Sequence, residues 1–144
     1  MLLVATLGAV GYLYLSRGGG NSSATGFVGA NQESVKAADT VVRAAQDVQR
    51  FKELSAFDHI ATAQMVVLFK QQTTLQNIAA GASGRQKQLA DEAVTTVKQA
   101  VDAIGRYRKA VALTYRLSDA ETAQQDLNNA VASLKQEAQA WQRS

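Results

Sequence analysis

Residues 118–141, SDAETAQQDLNNAVASLKQEAQAW, decide the fold class. The stretch opens on Ser118-Asp119-Ala120-Glu121, an S-x-x-E capping box in which serine and glutamate each satisfy an amide of the first helical turn. Behind it Gln124, Leu127, Val131, Leu134, Ala138 and Trp141 recur at alternating three- and four-residue steps. That spacing lines one helix face and suits left-handed, coiled-coil-like packing. It predicts a helix reaching about Gln142.

The same period runs back through the chain. A third helix over 85–116 carries Ala90, Val94, Val97, Val101, Ile104, Val111 and Tyr115 on one stripe, behind a second box at Ser83-x-x-Gln86. A second helix over 56–80 presents Phe57, Ile60, Ala61, Val67, Leu68, Leu75 and Ile78, behind a weaker Ser55-x-x-Asp58 box. A first helix over 32–54 has Ala37, Val41, Ala44, Val48 and Phe51 on its face. Short connections make sequential helices antiparallel, so residues 32–144 read as an all-α, up-down four-helix bundle. The rival is a helix continuous through 54–56, which gives long helical hairpins that need partners. The chain has 144 residues, 26 of them Ala and 15 Gln, and no Pro, which suits uninterrupted helix. An Ala- and Val-rich core brings helices close but buries little area per residue, which favours association with something larger.

Upstream of 32 the composition changes. Residues 17–31 contain Gly18-Gly19-Gly20-Asn21-Ser22-Ser23 and read as a Gly/Ser-rich linker with a coil reach of roughly 20 Å. Phe27 and Val28 stand out there and read as an incidental contact with the bundle. Residues 1–16 form a hydrophobic helix in which Leu2, Leu3, Val4, Leu7, Val10, Tyr12, Leu13, Tyr14 and Leu15 are the anchor candidates. The uncharged run is roughly 23 Å long as a helix, short for a span, but Arg17 can snorkel and Tyr12 and Tyr14 suit an interface. A single-pass membrane anchor is the first reading, a helix buried in a partner the second, a retained signal sequence the third. The anchor implies a bacterial inner membrane or an organellar one. Arg17, a single charge, points the bundle toward the cytoplasmic or matrix-like side.

Little chemistry is legible. Without Cys there is no disulfide, thiol nucleophile or thiolate metal site, and the one His, His59, reads as a surface or boundary residue. No Glu-x-x-His pair, P-loop or nucleophile elbow occurs, so no enzyme activity, metal or cofactor is expected. With 15 Lys and Arg against 12 Asp and Glu, the net charge of +3 gives no nucleic-acid footprint. The one basic concentration is Arg106, Arg108 and Lys109, with Arg116 beyond. Arg108 falls on an a/d-like step, where a polar group can set register or meet a partner. Gln64, Gln71 and Gln124 also lie on or beside the stripes. The expected role is a non-catalytic accessory or scaffold subunit of a membrane assembly, working through contacts with other protein subunits or with itself. The alternative is an anion- or small-molecule-sensing bundle using the stretch 106–116.

Overall fold

Amphipathic stripes of small residues can be buried only against one another, and the computed structural model shows how they do so. It describes residues 22–46 and 54–144. Four helices run through them: α1 (Ser22–Gln46), α2 (Leu54–Gly81), α3 (Gly84–Lys109) and α4 (Leu117–Arg143). Each packs on its sequence neighbours, α4 closes the ring against α1, and the α1–α3 diagonal contact is slight. The result is an all-α bundle in which α1 and α2 are separate helices. Residues 1–21, with the whole proposed anchor, and 47–53, with Val48 and Phe51, lie outside the described residues.

The core is built largely from small side chains. Of 29 buried apolar residues, 14 are alanine, which lets the helix backbones approach closely. Aromatic pairs fill the two ends. Phe27 of α1 stacks on Trp141 of α4, with centroids 4.0 Å apart and planes 13° apart. At the opposite end Phe57 of α2 meets Tyr107 of α3 edge-on at 5.1 Å, and the Tyr107 hydroxyl donates to the Ala45 carbonyl across the bundle (3.1 Å). Burial pushes the Tyr107 phenol up from its ordinary range.

The first correction concerns the segment expected to be linker. From Ser22 onward it is the opening of α1, and Phe27 is fully buried rather than an incidental contact. Gly and Ser weaken a helix by tenths of a kcal/mol up to about 1 each, less than the burial of one phenyl ring recovers. Tertiary packing therefore overrides propensity.

The caps are the second correction. Ser83 does precede α3 in extended geometry, but its side chain makes no capping bond. Ser118 lies inside α4, whose N-cap is Arg116, and Ser55 lies inside α2. At the last of these boxes the chain has already turned at Tyr115, which is in the left-handed region (φ 53°).

The third helix also ends early. After Lys109 it widens into a five-residue π turn, Ala110–Thr114, and stops at Tyr115 in the left-handed region (φ 53°). A π turn places an extra residue in each hydrogen-bonded ring and so rotates the chain beyond it. Tyr115, expected on the buried stripe, is 66% exposed as a result.

Candidate functional site

The predicted basic stretch is not gathered into one patch. Arg106 and Arg108 are two residues apart on α3 and leave it in opposite directions. Arg106 donates from Nε to Asp102 and from Nη1 to Asp126 of α4, both at 2.8 Å. Its guanidinium is held above the ordinary value, chiefly by the bond to Asp126 and then by that to Asp102. Arg108 reaches the other way, to Asp58 of α2, at 2.7 Å from Nε and 2.6 Å from Nη2, and its Nη1 rests 3.7 Å from the Met65 sulfur. The polar a/d-like position thus links α3 to α2 by an ion pair. Lys109 and Arg116 are exposed at the same end of the bundle. His59 is exposed too, and Gln64, Gln71 and Gln124 are half-buried at helix margins. Among the described residues no group of three or more His, Cys, Asp or Glu could hold a metal ion.

Between α3 and α4 a carboxyl is drawn inward. Glu137 Oε1 lies 2.6 Å from Thr96 Oγ1, which lies 2.9 Å from the Glu92 carbonyl oxygen. A hydroxyl has one proton and cannot donate to both. Both contacts are satisfied together when Glu137 is protonated and donates to Thr96. Desolvation pushes this carboxyl up to about 7; a Thr96 hydroxyl turned to donate to the ionised form pulls the other way, and repulsion from Glu92 adds to the rise. Glu137 Oε2 is buried without a partner, which also favours the neutral form.

A groove of about 830 Å³ runs between α1 and α4, floored by Val28, Val35, Leu134 and Ala138. Asn31, 1% exposed, donates to the Leu134 carbonyl at 3.0 Å and leaves its Oδ1 unpartnered. Its sequence neighbours gave no hint of burial, since Asn31 stood at the edge of the supposed linker.

No family model, curated protein or solved structure matches this chain.

The outer face of α2 is where the bundle departs most from an ordinary solvated surface. Val66 is 65% and Phe69 52% exposed, one helical turn apart. The 28 residues of α2 contain two charged side chains, Asp58 and Lys70, and Asp58 is engaged by Arg108; the 26 of α3 contain nine. A helix facing water on one side normally carries its charge there. Sequence reading fixed on the buried stripe and missed this second one. The signal was available as the charge count per helix. At the far end of α3, Leu113 and Leu117 are both 73% exposed beside Tyr115. Among the described residues no helix is long and apolar enough to cross a membrane, so these faces are not spans.

Proposed function

We propose that this chain is a non-catalytic, single-pass accessory or scaffold subunit of a membrane assembly. Residues 2–15 hold it in a bacterial inner or organellar membrane, and the bundle works through helix-face contacts. The observation that carries the reading is the outer face of α2, where Val66 and Phe69 stand exposed on a helix almost free of charge. Apolar faces of this kind are costly to leave in water and are a usual mark of protein–protein contact. The Ala-rich core gives the same direction, because modest burial per residue gains from docking.

The test is purification of the full-length chain from membranes in mild detergent, with identification of the chains that co-purify. The reading expects the chain in the membrane fraction, resistant to high-salt wash, in a complex that Phe69→Glu weakens. Full release by salt removes the anchor. A monomer with no associated chain, unchanged by Phe69→Glu, removes the scaffold role.

A further inference from the structure

We infer that the outer face of α2 is the seam of a two-fold dimer, in which α2 of one copy packs antiparallel on α2 of a second. The inference rests on the helix-face reading above and names its partner.

The exposed face has its own heptad register. His59, Thr62, Val66, Phe69, Thr73, Gln76 and Ala80 follow one another at unbroken three- and four-residue steps, and all seven are exposed. Val66 and Phe69 are the apolar centre of this row, and a narrow row running along a helix is matched by the face of a second helix. None of the seven carries a formal charge with His59 neutral. Thr62 and Thr73 turn their hydroxyls back onto the carbonyls of Asp58 (2.8 Å) and Phe69 (3.2 Å), so neither needs a polar group from across the seam. A partner stripe must therefore be helical and neutral, and α2 itself meets both conditions.

Symmetry selects the second copy. The two exposed apolar residues, Val66 and Phe69, are centred between Val67 and Leu68. About that point Val66 is matched by Phe69, Thr62 by Thr73 and His59 by Gln76. Antiparallel pairing about this centre thus sets apolar against apolar in the middle, threonine against threonine outside it, and polar against polar beyond. Lys70 comes level with Met65 of the second copy, roughly 7 Å along the axis from the other Lys70. An isologous interface requires such self-complementarity, whereas contact with an unrelated protein would not.

The seam is narrow. A 28-residue helix is about 42 Å long, and a strip about 10 Å wide covers roughly 400 Å² per copy. A stable complex of standard size covers about 800 Å² per partner. The pair is therefore a dimer that forms on concentration and separates on dilution.

A chain without cysteine allows a direct test by single-cysteine cross-linking of the full-length protein in mild detergent. Thr62→Cys and Thr73→Cys, carried on copies of different mass, are expected to form a mixed disulfide on oxidation. Thr73→Cys alone should not link to itself, since its two copies lie roughly 16 Å apart along the antiparallel pair. Sedimentation should show a monomer–dimer equilibrium whose dissociation constant rises about tenfold or more with Phe69→Glu, because each dimer then buries two like charges. Phe69 is exposed, so circular dichroism of that variant should match the parent. Self-linking by Thr73→Cys, or a monomer at every concentration, overturns the inference. If the chain is monomeric yet a co-purifying partner is lost with Phe69→Glu, self-pairing falls and the helix-face reading stands. If Phe69→Glu changes neither, both fall.

Discussion

Phe27 and Trp141 lie face to face, 4.0 Å between ring centroids, although 113 residues of chain lie between them. The contact clamps the start of α1 to the end of α4 and closes the ring of helices at that end. Phe27→Ala removes a fully buried ring and should lower stability by about 3–4 kcal/mol. Urea denaturation followed by far-UV dichroism measures this. A loss below about 1 kcal/mol would show that residues 22–30 do not pack as α1. Trp141→Ala should cost less in the Phe27→Ala background than alone, since the two rings share one contact.

Glu137 gives the bundle a pH dependence of defined sign. Its carboxyl titrates at about 7 in the folded chain against an ordinary value of 4.5, so between those limits the folded state holds more protons than the unfolded. Stability then falls as pH rises from about 4.5 to 7 and is level above. The carboxyl is only partly buried, and solvent screening leaves roughly 1–2 kcal/mol of the effect. Glu137→Gln should flatten the melting temperature across this window and exceed the parent at about pH 8. Parallel pH profiles for parent and variant sink the assignment.

The Arg108–Asp58 pair should contribute modestly, because both side chains keep solvent contact, 33% and 54%. A double-mutant cycle with Arg108→Met and Asp58→Asn is expected to give a coupling of about 0.5–1 kcal/mol that shrinks in roughly 1 M salt. A coupling indistinguishable from zero at low salt would show that this ion pair does not hold α3 against α2.

Two glycines should respond in opposite directions. Gly105 sits inside α3 with nothing within 4 Å of where a Cβ would stand, so Gly105→Ala should stabilise by about 0.5–1 kcal/mol. Gly84 also has open space around it but holds φ +60°, which an L side chain adopts at a cost. Gly84→Ala should therefore destabilise by about 1 kcal/mol through backbone strain alone. Equal effects from the two substitutions would contradict the turn geometry between α2 and α3.

The helices themselves were legible because periodicity is a local property. A 3-4 repeat such as Leu127, Val131 and Leu134 specifies both a helix and its buried face, and all three are buried. Turn positions near Gly81 and Ser83 were legible for the same reason. The capping boxes misled because a box marks one possible start, and where the chain enters a helix depends on what the flanking residues pack against.

Contacts between helices were not legible. Arg108 meets Asp58 across 50 residues, Thr96 meets Glu137 across 41 and Asn31 meets Leu134 across 103, and no spacing rule links such positions. They exist only once four helices are brought side by side. The same holds for burial of Phe27, whose glycine-rich surroundings argued for a linker until Trp141 was placed against it. Sequence alone determined that the chain from residue 32 onward is helical and which faces of those helices are buried, because both follow from a local period and from composition. Tertiary structure decided which charges are neutralised, which carboxyl is desolvated and which stripe of α2 is left without a neighbour, because each of these depends on what lies across the bundle.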